Sequence, residues 1–202
     1  RHLAFEFQVA EHRPPRPRQR KAHARDQALA GEFVLEDAVA IAETAHRGIQ
    51  RHAAAGDEVR IRLTNHLDES TNLHFHGLHV PPAGTADNIF LEVPPGEVAS
   101  YAFRIPEHHP AGLFWLHPHL HGSVARQVSL GLAAPLVIRG ALDGIPDVAA
   151  AREHVLVLQD FELDRSGRPI DPGMGALMGG REGTLVTVSG QTQPRYAIEQ
   201  DG

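Results

Sequence analysis

The stretch GDEVRIRLTN, residues 56–65, most constrains what this chain can become. Val59, Ile61 and Leu63 alternate with charged or polar neighbours, the period-2 pattern of a strand with one face in a core. The same texture recurs down the chain, each run closed by glycine or proline. NLHFHGLHV is an extended run ended by Pro81 and Pro82, and VPPGE is a turn into VASYAFRI. There Val98, Ser100, Ala102 and Arg104 alternate with Ala99, Tyr101, Phe103 and Ile105. AGLFWLHPH and LAAPLVIRG read as two further strands, and SVARQVSLGL between them as a short helix ending before Gly131. Short strands at regular spacing predict an all-β Greek-key sandwich or barrel.

This pattern begins near residue 31. Before it, HRPPRPRQRKAHAR (residues 12–25) is basic, proline-rich and without hydrophobic periodicity, so residues 1–30 are expected to be a poorly ordered tail. After residue 140, ALDGIPDVAAAREH is looser, HVLVLQDFEL is a fresh strand and the glycine-rich DRSGRPIDPGMGALMGGREG a long connection. TLVTVSGQTQPRYAIEQDG looks like the opening of another β domain. The expected division is therefore a tail at 1–30, a first domain at 31–140, and at 141–202 a connection with an incomplete second domain. A chain that opens on Arg1 without an apolar leader, and ends on a strand with nothing to pair, is expected to be a mature product or a fragment.

The net charge of −6 argues against nucleic acid as the main partner, because phosphate binding needs a basic surface. No run approaches the roughly 18 apolar residues of a membrane span. There is no cysteine, which excludes disulfides, thiolate nucleophiles and zinc–thiolate sites.

Histidine is the unusual quantity, with 15 in 202 residues. His74 and His76 lie on one face of a strand, about 6.6 Å apart along it, and Phe75 faces the other way. His117 and His119 pair in the same manner across Pro118, which marks a strand end. Two His-x-His pairs on neighbouring strands bring four imidazoles to one surface, a spacing that suits neighbouring metal ions better than one. Imidazole ligation favours copper, zinc, iron or nickel.

LHFHGLHVPP and HPAGLFWLHPHLHGSVARQVSLGLAAPLVIRG resemble the first two copper-binding motifs of the multicopper oxidases, laccase-like enzymes built from cupredoxin domains. GDEVRIRLTNHL is similar to the strand before the first motif. VLVLQDFELDRSGRP and GREGTLVTVSGQTQP resemble the family's passage into its second domain, so the likeness spans roughly residues 56–202.

The resemblance implies a cupredoxin-like fold and a residue-by-residue ligand set. His74 would bind the type 2 copper, and His76, His117 and His119 the type 3 coppers. These are half of the histidines of the trinuclear cluster at which dioxygen is reduced to water. A phenol, aromatic amine or metal ion would be the reducing substrate. His79 and His121 match positions that are not usually ligands. His66, His108 and His109 are expected on the surface or in loops. Asp87, in GTADNIF, stands where the family places an acidic residue near the cluster, and a carboxylate there could relay the protons that dioxygen reduction consumes.

Two departures matter. Without cysteine the chain cannot hold a type 1 copper, and the motifs carrying the other cluster histidines are absent. The missing half would come from a C-terminal region or another subunit, so the chain alone is not expected to be a competent oxidase. RGIQRHAAAGD also keeps Gly48 but has Arg47 and Ile49 where the family has prolines. The resemblance implies a periplasmic or secreted location. The alternative function is a copper-binding or copper-tolerance domain without turnover.

Overall fold

The computed structural model describes residues 3–10, 31–34 and 51–196, the first two segments and Arg51 as backbone only. Two four-stranded sheets face each other. The first has the order β2-β1-β4-β6, built from Gly31–Val34, Leu3–Ala10, Glu58–Asn65 and Val98–Arg104. The second has the order β3-β8-β7-β5, built from Arg51–Ala54, Ala134–Arg139, Gly112–His117 and His74–His76. All pairings are antiparallel except β3 with β8.

The alternation read in the sequence sets the packing. Val59, Ile61 and Leu63 of β4 are buried, and so are Tyr101 and Phe103 of β6. They meet Phe75, Leu116, Leu136 and Ile138 from the inner face of the second sheet in one core. Phe75 is fully buried, its ring 4.6 Å from Phe103 and 5.8 Å from Tyr101. Because side chains alternate across a strand, burying Phe75 and Leu116 inward sends His74, His76, Trp115 and His117 to the opposite face. The core thereby orients the histidines.

Leu3–Ala10 is a correction to the tail expected over residues 1–30. It forms β1, paired along its whole length with β4 from Leu3↔Asn65 to Ala10↔Glu58. Its sequence LAFEFQVA has the strand alternation that the neighbouring basic stretch obscured. Residues 12–25 lie outside the described residues, as does the end of the chain from residue 197. Past the departure at Arg47 and Ile49, which lie outside the described residues, RHAA forms β3, with Ala53 buried against the core.

The helix expected before Gly131 is α1, Val124–Ser129. The looser segment after it contains a 3-10 turn at Ala141–Gly144 and α2 at Pro146–Ala150. β9, Leu158–Phe161, and β10, Leu185–Val188, form a two-stranded sheet of their own. The glycine-rich connection between them carries α3, Met174–Gly179.

Candidate metal centre

β5 is only three residues long because its surroundings end it sharply. Gly77 adopts φ +83°, a conformation that L side chains rarely take, and a Cβ there would lie 3.1 Å from the Phe114 ring. β7 ends as abruptly, at His117 followed by Pro118. Antiparallel pairing of the two strands sets His74 opposite His117 and His76 opposite Trp115. Imidazoles separated by forty-odd positions in sequence therefore become cross-strand neighbours.

The rings of His76, His117 and His119 lie 5.5, 5.2 and 5.1 Å from that of His74. One ligand atom from each of His74, His76 and His117 falls within 4.8 Å of the other two. His76 Nδ1 and His117 Nε2 are 3.3 Å apart, close enough to share one ion at ordinary metal–nitrogen distances of about 2.0 Å.

Hydrogen bonds set which nitrogen each ring offers. His117 Nδ1–H donates to the Pro118 carbonyl at 2.8 Å, which leaves Nε2 as the lone pair turned to the cluster. His74 Nδ1–H donates to Asp87 Oδ1 at 2.8 Å, leaving its Nε2. The same Asp87 oxygen accepts from the Phe75 amide at 2.8 Å, so one carboxylate fixes both the ring and the strand carrying it. This carboxylate–histidine arrangement orients an imidazole for a metal. His119 has a buried Nδ1 without a hydrogen-bond partner, a costly condition that an acceptor of its lone pair would relieve.

Electrostatics favour a neutral His117 ring. Burial pushes the His117 pKa below its ordinary value, and the neighbouring His74, His76 and His119 push the same way against the Pro118 carbonyl. Trp115 covers the cluster's flank, stacked on His117 at 4.1 Å and tilted against His76 at 5.0 Å. Buried Tyr101, its hydroxyl pushed up to about 12 by burial, accepts the Leu73 amide just before β5.

Of the residues singled out in the sequence, the structure brings together His74, His76, His117 and His119, with Asp87 behind His74. His79 and His121 stand outside the group of three. His79 packs against His109 at 5.0 Å, and His121 lies beside exposed Phe90 at 5.8 Å. His66 and His108 are exposed.

His109 lies in a loop, one of the two places expected for it. It is buried there with both ring nitrogens satisfied: its Nε2 accepts the His79 amide at 3.0 Å and its Nδ1–H donates to Pro110 O at 2.8 Å. Nothing in HHP distinguishes it from exposed His108. Sequence reasoning also missed Asn72, which is fully buried two positions before His74. Its Nδ2 donates to Ile89 O at 2.6 Å and its Oδ1 accepts from the His119 amide at 2.7 Å. Asn72 closes the polar run DESTN, so nothing in the sequence sets it apart from its neighbours.

Comparison with known proteins points the same way. The family described as Multicopper oxidase matches residues 35–142. A protein named multicopper oxidase mco from Staphylococcus aureus is 28% identical over 147 residues, covering 72% of this chain and 32% of that protein. Copper resistance protein A from Pseudomonas syringae pv. tomato is 34% identical over 108 residues, covering 52% of this chain and 16% of that one. Among solved structures, a multicopper oxidase from Campylobacter jejuni described as a metallo-oxidase superposes with a TM-score of 0.63 at 29% identity. The match covers 81% of this chain and 32% of that one. The all-β, cupredoxin-like fold expected from the sequence is the fold of this chain.

Proposed function

This chain belongs to the multicopper oxidase family, and on that premise we propose that it supplies half of the histidine ligands of a trinuclear copper cluster that reduces dioxygen to water. In this reading it is the N-terminal portion of an oxidase acting on a phenol, aromatic amine or metal ion. Residues 31–140, with β1 completing their first sheet, are the copper-holding domain, and residues 141–202 are the connection and the start of a second domain. The separate β9–β10 sheet supports that division. The chain spans 32% of the staphylococcal relative, which supports further protein completing the site.

The convergence of ring nitrogens from His74, His76 and His117, with the unpartnered Nδ1 of His119 beside them, carries the reading. The donor set fits copper: imidazoles, of which His74 and His117 have their second nitrogen held by an acceptor, and no competing carboxylate in the group of three. His74 would hold the type 2 ion. His76 and His117 would share one type 3 ion, and His119 would serve the other. Copper supplies one-electron redox chemistry and a place for dioxygen to bind.

The residues' own tasks are positional and protonic. Asp87 orients His74, and in this reading its carboxylate relays protons to the cluster. Trp115 shields two imidazoles. With no cysteine, this chain cannot provide the thiolate-bound copper that takes electrons from substrate, and so does not turn over alone. A periplasmic or extracellular location goes with the family; among the described residues no helix is long and apolar enough to cross a membrane.

The test is copper stoichiometry in a variant carrying both His117→Ala and His119→Ala. A lower copper content is expected; an unchanged one overturns the ligand assignment. A second reading, copper binding without turnover, is favoured by the likeness to copper resistance protein A. Dioxygen uptake by the full-length protein with a phenol, an aromatic amine or a cuprous or ferrous salt separates the two.

A further inference from the structure

Asn72 performs no chemistry that copper needs, yet its burial is complete and both ends of its side-chain amide are used. Each of its partners is backbone in a loop. Ile89 follows Asp87 by two residues, and His119 lies just beyond the end of β7. No sheet ladder holds either segment. The ring of His119 has a buried nitrogen without a partner, so the placement of this ligand rests on its backbone. A buried primary amide must satisfy both its donor and its acceptor end. Asn72 can do so only when the two loops stand at one separation from the approach to β5.

Resting on the copper reading above, we infer that Asn72 is a positioning residue. It clamps the Asp87 loop and the His119 turn against β5, and so sets where His119 stands relative to His74 and His76. The clamp works at both sides of the cluster. Through Ile89 it holds the loop whose carboxylate orients His74, and through the His119 amide it holds the fourth imidazole. Asn72 touches no metal itself.

A second buried amide nearby supplies the control. Gln127 is 1% exposed; its Oε1 accepts from Thr71 Oγ1 at 2.8 Å and its Nε2 donates to Ser70 O at 2.9 Å. It ties α1 to the same approach but reaches no ligand-bearing loop. Gln127→Leu and Asn72→Leu each remove two buried hydrogen bonds of one side-chain amide. A merely structural Asn72 would make the two variants behave alike.

The experiment uses the full-length protein carrying this chain, stripped of metal. It measures the Cu(II) dissociation constant by competition with a chelator and the metal-free unfolding midpoint by circular dichroism. Both leucine variants should unfold at lower temperature than the unaltered protein. Asn72→Leu should bind copper about 10–100-fold more weakly, as loss of an outer partner of a metal ligand does, and Gln127→Leu should bind it unchanged. Asn72→Ser, too short to reach either loop but still polar, should lose affinity in the same way, and it carries the test if the leucine variant does not fold. Unchanged affinity in a folded Asn72 variant, or an equal loss in Gln127→Leu, overturns the clamp and leaves the copper reading standing. Failure of the unaltered protein to bind copper overturns both.

Discussion

Replacing Asp87 separates two roles that a single oxygen performs. Asp87 Oδ1 accepts from the Phe75 amide and from His74 Nδ1–H, each at 2.8 Å, and the side chain is only 12% exposed. Asp87→Ala leaves the Phe75 amide without its acceptor, at a cost of about 1–3 kcal/mol for a buried donor. It also frees the His74 ring to rotate or change tautomer, which should weaken copper about 10–100-fold. Asp87→Asn keeps a carbonyl oxygen in the same place. Both donors remain partnered, and only the charge assistance is lost, so roughly half the stabilisation should survive. Denaturant unfolding of the metal-free protein and a copper titration give the two quantities. Turnover gives a third, because an amide can orient His74 but cannot relay a proton. Loss of dioxygen reduction in an Asp87→Asn protein with near-normal copper assigns the relay; normal turnover removes it. If Asp87→Asn destabilises as much as Asp87→Ala, the oxygen shared by Phe75 and His74 is not what Asp87 contributes, and the orienting role is refuted.

Phe75→Ala, which empties a site between Phe103 and Tyr101, should cost about 3–5 kcal/mol in denaturant unfolding. His109→Ala removes the acceptor of the His79 amide and should cost about 1–3 kcal/mol while sparing copper stoichiometry, read by elemental analysis. Burial holds the His117 pKa below 6.5, so below about pH 6.5 the unfolded chain takes up a proton that the folded one does not. Metal-free stability should therefore fall with acidification from there and level off below the depressed folded value, with a shallower fall in His117→Gln; identical slopes would contradict this. Cu(II) on this chain should give no intense blue absorption, because it has no thiolate to donate charge; a strong blue band in the visible spectrum would refute the assignment.

Much of the fold was legible because its signals are local. Alternation in VRIRLTN and VASYAFRI identifies strands and says which residues point inward, and the shared outward face of His74 and His76 follows from burying Phe75. β1 was missed because a basic, proline-rich stretch follows it closely, and composition averaged over residues 1–30 hides the eight-residue alternation of LAFEFQVA. The candidate site was legible in its clustered histidines and not in the contacts that support them. Asp87 meets His74 across 13 positions, His109 meets the His79 amide across 30, and Asn72 meets the His119 amide across 47. Such contacts depend on loop paths that no periodicity encodes.

β7 shows where local reading also points beyond the chain. A strand with one face in water should alternate apolar and polar residues, as β4 does. GLFWLH instead places Leu116 and Phe114 inward and Leu113 and Trp115 on the face that carries the histidines. Leu113 is 61% exposed and Trp115 36%. Apolar side chains beside a cluster of ligand histidines are what a covered face requires, since they exclude water from the rings when another surface closes over them. The strand pattern is what the proposed copper reading requires: in that reading this face of the second sheet is one wall of the site, and the surface that brings further ligands would also cover Leu113 and Trp115.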